Sequence, residues 1–143
     1  MVIRRNWPAL LLLLVIVVVY VGYRLYTLPS FATGGDRTIA EAFEQRRSDL
    51  WVETEGTVER LLGDDTEGSR HQRFVVRLAD GHTVLISHNI DLAPRVPLAE
   101  RDRLAFRGEY EWNEKGGVVH WTHRDPQGRR QGGWILHHGK RYD

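Results

Sequence analysis

The chain has 143 residues, 41% of them hydrophobic, and a formal net charge of +1. This length suits one small domain behind an anchor, and the absence of cysteine excludes a CxxC redox site, thiolate metal sites, iron–sulfur clusters and a cysteine-linked lipid. The charges are mixed and form no long basic stripe, which argues against duplex nucleic acid as the partner.

An uncharged apolar run extends from Trp7 to Tyr23, and a helix of that length can cross a bilayer. Arg4 and Arg5 precede the run, so the short N-terminus is expected to stay in the cytoplasm. The sequence therefore predicts a single-pass protein of the inner (cytoplasmic) membrane whose C-terminal domain lies in the periplasm or outside. The predicted segments are a cytoplasmic tail at residues 1–7 and a transmembrane anchor in the lipid bilayer at residues 8–28.

A cleaved signal peptide is the competing interpretation of this N-terminal run. Ser30-Phe31-Ala32 places small residues at the two positions that a signal peptidase inspects. Against cleavage, Arg24 makes a charged approach to the cut and the apolar stretch is longer than a typical signal core. In either case the domain leaves the cytoplasm.

Residues 29–50 are predicted to form a tether followed by an amphipathic helix. Thr38 and Glu41 have the spacing of a capping box, which predicts a helix that begins at Thr38 and runs to about Asp49. The apolar positions fall near helical spacing and are expected to pack on the following domain. These positions are Ile39, Ala42, Phe43 and Leu50.

From residue 51 onward the periodicity changes from helical to alternating, which is typical of strands. Gly56 interrupts the first strand at a place suited to a bend, and Asp80-Gly81 predicts a hairpin turn between the second and third strands. Two prolines in residues 91–102 exclude a central strand there. The predicted strands cover residues 51–62, 71–79, 82–90, 103–112 and 117–123, and residues 134–136 are expected to add an edge strand or to cover the barrel.

This order of elements predicts a mainly β fold, a small five-stranded Greek-key barrel that resembles an OB-fold. The barrel domain is assigned to residues 51–143, with a C-terminal extension. It is preceded by the amphipathic helix and the transmembrane helix. An SH3-like barrel or an open β-sandwich gives a similar string of strands and remains an alternative.

The C-terminal end is basic and rich in aromatic residues and histidine. Residues 115–143 hold six bases, two acids and four histidines, which favours binding of an anionic ligand or of an envelope protein. The alternative for the tryptophans is that they plug the barrel, and the alternative for the segment around Asn89 is a simple turn. The candidate ligand-binding residues are Arg73, Asn89, Trp121, Arg124 and Trp134.

A second hypothesis is an enzyme that hydrolyses a phosphodiester, and whether the protein is an enzyme is left open. The candidate catalytic residues are His88, His120, His123 and Asp125. If His88 faces His120 across the barrel mouth, this pair can act as general base and charge stabiliser. His120 and His123 are also candidates for a metal site. They are weak candidates, because residues at that spacing in a strand point to opposite faces and cannot easily bind the same ion. No metal or cofactor is predicted.

Three long phrases carry a family resemblance: RFVVRLADGHTVLISHNIDLAPR, FRGEYEWNEKGGVVHWTHRDPQGR and GGWILHHGKRY. They resemble domain-of-unknown-function family 3465, small bacterial membrane-anchored proteins, over about residues 51–142, and the resemblance implies no activity. A second resemblance is to the periplasmic haem chaperone of cytochrome c maturation, whose C-terminal His-x-x-x-Tyr matches His138 and Tyr142. It implies carriage of haem or another cofactor through these two residues.

Overall fold

The computed structural model describes residues 14–20 and 34–143. The chain divides into two compact units, Met1–Ser30 and Phe31–Asp143. In the first unit, residues 14–20 are helical and their side chains are exposed. Among the described residues no helix is both long enough and apolar enough to cross a membrane. The predicted tail at residues 1–7, most of the predicted anchor at residues 8–28 and residues 29–33 of the tether lie outside the described residues.

The second unit begins with helix α1 (Gly34–Glu44), which starts before the predicted capping box and ends before Asp49. Thr38 therefore lies inside the helix, and the prediction that the helix begins there is wrong. The reason is Asp36, a fully buried residue of the first turn whose carboxylate accepts hydrogen bonds from the Thr54 hydroxyl and, at 3.3 Å, from the Ala79 N–H. These bonds fix the first turn against the sheet. The left-handed φ of Arg46 ends the helix soon after Glu44.

Seven strands follow, and five of them close into a barrel, which confirms the mainly β prediction. The barrel order is β1-β2-β3-β5-β4, and β4 pairs back with β1. Only the β3–β5 pair is parallel among the pairs of the barrel. The strands are β1 (Leu50–Leu61), β2 (His71–Arg77), β3 (Thr83–Asn89), β4 (Arg103–Glu111), β5 (Val118–His120), β6 (Trp134–His137) and β7 (Lys140–Tyr142).

Gly56 lies where β1 passes from one neighbour to the other. β1 pairs with β4 up to Thr57 and with β2 from Thr57 onward. A Cβ at Gly56 would lie 2.4 Å from Val76 Cγ1, a distance that real contacts do not reach. Glycine is thus required for the close approach of two strands, at the position where the sequence predicts a bend.

The core fills the barrel with the inward-facing residues of alternating strands, as the sequence pattern predicts. Ile39 and Ala42 of α1 join this core, so the predicted packing of the helix on the barrel is confirmed for these residues. Leu50, predicted to share the apolar face of the helix, is instead the first residue of β1. Trp112 covers the core from its edge, and its indole N–H donates to the Phe43 carbonyl at 3.1 Å. The strand residues of the core include Val58, Phe74, Val76, Val84, Ile86, Leu104, Phe106, Tyr110, Val119 and Ile135.

β5 and β6 both pair with the same edge of β4, one after the other. His120 of β5 lies opposite Glu109, and Trp134 of β6 lies opposite Arg107. Residues 121–133 therefore form an excursion from an otherwise continuous line of pairing, here called the Trp121 loop. The predicted strand at residues 117–123 is shorter than expected because Trp121 has a φ of 55°, which ends β5 at His120.

The C-terminal extension folds as a hairpin of β6 and β7 rather than as an irregular tail. His138 and Gly139 have φ values of 49° and 74°, as the two central residues of a tight hairpin turn require. The predicted edge strand at residues 134–136 is confirmed as β6, and β7 is a strand that the sequence pattern does not predict.

A candidate ligand cleft beside the Trp121 loop

The two ends of the Trp121 loop meet at a narrow neck. The Gly133 N–H donates to the His123 carbonyl at 2.8 Å. A Cβ at Gly133 would lie 2.0 Å from the Trp121 carbonyl oxygen and 2.4 Å from that of Arg107. Only glycine allows the backbone to return this closely to β4. The result is a compact surface loop with adjoining ends, a class that often carries function.

Asp125 organises the interior of the loop. Its Oδ1 accepts a hydrogen bond from the Gln127 N–H at 3.0 Å, and its Oδ2 accepts bonds from the N–H groups of Arg129 and Arg130, both at 2.7 Å. The bond from Gln127 is the main cause that lowers the pKa of the Asp125 carboxyl, although partial desolvation opposes it. Asp125 is thus an ionised acceptor for the loop backbone, which explains why the turn holds its shape.

This loop forms one wall of a cleft of about 630 Å³, here called the Trp121 cleft, whose volume is within the range of small-molecule sites. The Arg130 guanidinium lies over the Trp121 ring, 5.3 Å from its centroid. Within the described part of the chain, neither Arg129 nor Arg130 forms an ion pair. The cleft is lined by Leu92, Trp121, Asp125, Pro126, Gln127, Arg129 and Arg130.

His88 supports the loop from the barrel interior and is fully buried. Its Nε2 lies 3.1 Å from the Pro94 carbonyl, which can only accept, so Nε2 carries the hydrogen. Nδ1 then accepts from the Thr122 hydroxyl at 2.8 Å. Burial lowers the pKa of His88 from 6.5 to about 4. The side chain is therefore a neutral strut, with both nitrogens engaged, rather than a base open to substrate.

The structure does not bring the four predicted catalytic residues together. His88 points into the core, whereas His120 alternates with the buried Val119 and lies on the outer face of the sheet. The Nε2 of His120 is 3.0 Å from the carboxylate of Glu111, although no well-directed hydrogen bond forms. His88 and His120 therefore do not face each other, and the condition for their joint action in catalysis is not met.

His123 is the one predicted catalytic residue that approaches His88, close enough for its charge to lower the pKa of that imidazole. His123 is buried, and its Nδ1–H donates to the Arg124 carbonyl at 2.7 Å. Its ring lies 5.1 Å from that of Trp121. His123 thus packs behind the cleft.

Of the predicted ligand-binding residues, only Trp121 lines the cleft. Arg124 forms an ion pair with Asp143 at 3.0 Å, and Trp134 lies under the guanidinium of Arg141. Asn89 accepts hydrogen bonds from two following backbone N–H groups, which agrees with the turn alternative. Arg73 lines a separate cavity of about 220 Å³ and donates to the Gly63 carbonyl.

Sequence reasoning missed Arg129 and Arg130 as ligand-binding candidates. The signal was available, because two consecutive arginines follow a turn glycine in the segment that the pattern marks as a loop. What the sequence did not show is that residues 121–133 return to the same edge of β4, which brings Arg130 back over Trp121.

One group of three potential metal ligands occurs among the described residues, and it contains neither His120 nor His123. It consists of Asp102, His137 and His138. For the haem hypothesis, His138 is exposed at the hairpin turn, whereas Tyr142 is 5% exposed in β7 and has the Lys140 ammonium 5.0 Å from its ring centroid. The two residues of the His-x-x-x-Tyr pattern thus lie on a paired hairpin.

Comparison with known proteins gives one family match. The model of a family described as "Protein of unknown function (DUF3465)" matches residues 18–143, which is most of the chain. No curated protein matches the chain.

Proposed function

We propose that this chain, which belongs to the DUF3465 family, is a membrane-anchored binding module that takes an anionic ligand in the Trp121 cleft. The barrel that carries the cleft is proposed to be of the OB class. The strand order β1-β2-β3-β5-β4, the closure of β4 on β1 and the parallel β3–β5 pair support this assignment. Since such barrels bind many ligand types, the ligand must be argued from the cleft itself.

The observation that carries the proposal is the pairing of Arg130 with Trp121. A guanidinium that lies on an aromatic face is held in place by the ring, and it keeps its N–H donors available for a bidentate contact with phosphate or carboxylate. The Asp125 carboxylate accepts hydrogen bonds from three backbone N–H groups and interacts electrostatically with Arg129, which leaves the Arg130 guanidinium for a ligand. The cleft therefore suits an anionic group attached to a planar or apolar moiety.

The surrounding composition supports the same ligand class. Leu92 is 48% exposed at the edge of the cleft and offers apolar contact beside the charged groups. Residues 115–143 hold more basic than acidic residues, a distribution that attracts anions over longer distances. Duplex nucleic acid is not the expected ligand, since no continuous basic stripe accompanies the cleft.

The proposed placement is an inner-membrane anchor at residues 8–28 with the domain in the periplasm or outside. It is supported by the uncharged run from Trp7 to Tyr23 and by Arg4 and Arg5 before it. Residues 14–20 are helical with exposed apolar side chains, which fits contact with lipid. Protease added to spheroplasts should digest the domain, and protection of the domain until the membrane is lysed would overturn this placement.

The ligand proposal is tested by titrating the full-length protein in detergent micelles with phenyl phosphate, with inorganic phosphate as the probe for the anion alone. Phenyl phosphate is expected to shift the NMR signal of the Trp121 indole N–H in a saturable way, and more strongly than phosphate does. Arg130→Gln should weaken binding by about tenfold, the cost of one charge-assisted contact.

The matched control is Arg141→Gln, which removes a guanidinium that also lies 5.3 Å from a tryptophan ring, that of Trp134, but outside the cleft. It should leave the phenyl phosphate affinity within about twofold, because its charge is already paired. A titration without saturation at Trp121, or equal losses in the two variants, would contradict the proposal.

A further inference from the structure

We propose that Asp102, His137 and His138 bind a divalent transition-metal ion such as Zn²⁺. One nitrogen or oxygen atom from each of the three side chains lies within 4.8 Å of the other two. This site is formed by the β6–β7 hairpin and by the residue before β4, and none of its members lines the Trp121 cleft. Metal binding at these residues is therefore independent of anion binding in the Trp121 cleft.

The hairpin turn explains how two sequential histidines come to share one site. Side chains of successive strand residues point to opposite faces, but β6 ends at His137 and the left-handed φ of His138 redirects the chain. The His138 ring consequently stacks on the His137 ring, with 3.8 Å between the centroids. Both imidazoles are thus available on the same side of the hairpin.

Asp102 completes the group because β4 pairs with β6. Leu104 lies opposite His137 in that pairing, which places the residue before β4 beside the hairpin turn. The Oδ2 atom of Asp102 accepts hydrogen bonds from the Ala99 N–H at 2.8 Å and from His137 Nε2 at 3.0 Å. The first bond orients the carboxylate, and the second occupies the position that a metal ion would take when it replaces the proton between the two groups.

Two imidazoles and one carboxylate are ligands that Zn²⁺ and its neighbours in the transition series prefer. His137 is 2% exposed and fixed in the sheet, whereas His138 is exposed, so an ion can enter from solvent. Three protein ligands leave a fourth tetrahedral position open to water. A zinc ion lies about 2.0–2.2 Å from each ligand atom and in the plane of each imidazole that binds it. The His138 ring must therefore turn out of its stack on His137, and its exposed position at the hairpin turn leaves room for this rotation.

A purely structural His137–Asp102 bond is the competing explanation, and it assigns no role to His138. Metal binding is therefore tested through His138. His138→Asn is the informative variant, because asparagine tolerates the left-handed conformation of the turn and offers no imidazole. Asp102→Asn keeps an oxygen for the Ala99 N–H. His120→Asn is the matched control, since His120 also lies beside a carboxylate, that of Glu111, but in a pair rather than a trio.

The experiment is equilibrium dialysis of Zn²⁺, with Co²⁺ absorption as a second readout, on full-length protein purified without a histidine tag and stripped with chelator. One equivalent of metal is expected to bind and to raise the Tm. His138→Asn and Asp102→Asn should each weaken binding by at least about tenfold, while His120→Asn binds as the parent does. Absence of saturable binding, unchanged affinity in His138→Asn, or an equal loss in His120→Asn would overturn the proposal.

Discussion

Two tryptophan–arginine pairs in the C-terminal part of the molecule have the same local geometry and different surroundings. Arg130 lies 5.3 Å from the Trp121 centroid, and Arg141 lies 5.3 Å from that of Trp134. Arg141 is also 2.7 Å from the Asp143 carboxylate, whereas Arg130 forms no ion pair within the described residues. The arginine–tryptophan contact thus does not by itself determine whether an anion can bind. The deciding factor is whether a third residue, such as Asp143, already neutralises the guanidinium.

The largest expected effect comes from forcing open the neck of the Trp121 loop, which positions Trp121 and Arg130. Gly133→Ala places a Cβ within 2.4 Å of two carbonyl oxygens, so the neck of the Trp121 loop must open. We expect a loss of about 3 kcal/mol in the free energy of unfolding, measured by urea denaturation, together with loss of phenyl phosphate binding.

Gly63→Ala is the control for this change, since no atom lies within 4 Å of a Cβ there and the effect should stay within about 0.5 kcal/mol. Similar unfolding curves for the two variants would mean that the neck is not a tight contact.

An intermediate effect is expected from pH, because His88 supports the Trp121 loop through Thr122. Its pKa is lowered from 6.5 to about 4 in the folded protein, so between these values the unfolded chain binds a proton that the folded chain does not. Stability from a neutral His88 is complete above pH 6.5 and falls as the pH drops, by about 2 kcal/mol at pH 5.

The measurement compares unfolding free energies at pH 7 and pH 5 in the parent and in His88→Gln, which does not titrate. The parent should lose about 2 kcal/mol more than the variant, since contributions of the other groups are common to both. The NMR titration of the His88 imidazole gives an independent check, and a midpoint near 6.5 would remove the basis of this expectation.

The smallest effect is expected from removing the ion pair of Arg141, so that the Arg141–Trp134 pair resembles the Arg130–Trp121 pair. Asp143→Asn removes the side-chain carboxylate that pairs with Arg141 and Arg124, so the positive charge of Arg141 beside Trp134 is no longer compensated by that group. Phenyl phosphate should then shift the Trp134 indole signal with low affinity, and stability should change by less than about 1 kcal/mol. If the Trp134 indole signal does not shift, an unpaired guanidinium on a tryptophan is not sufficient for binding, and the other residues of the Trp121 cleft are required.

Much of the barrel could be predicted from alternation, because each strand has one face in the core. Val84 and Ile86 in β3 and Leu104 and Phe106 in β4 are buried as the pattern requires. The start of α1 could not be predicted, since it depends on Asp36 bonding to Thr54 of β1, a contact between residues far apart in the chain. A local capping signal was outweighed by a tertiary hydrogen bond.

The candidate site was predictable as a region but not as a set of residues. Composition indicated the C-terminal end, where Trp121 lines the cleft. It could not show that His88 faces inward with both nitrogens engaged, nor that Asp102 comes to lie beside His137. Both facts follow from strand pairing, which a single sequence does not specify.

The collinear pairing of β5 and β6 along one edge of β4 has a consequence for how such a protein can change over evolution. The β1–β4 and β3–β5 pairings close the barrel, and neither includes a residue of the Trp121 loop. The loop is in effect an insertion within one strand, attached at Gly133 and His123. The exposed residues between these two attachment points can therefore diversify in length and side chain between related proteins while the hydrogen-bonded frame of the barrel is kept.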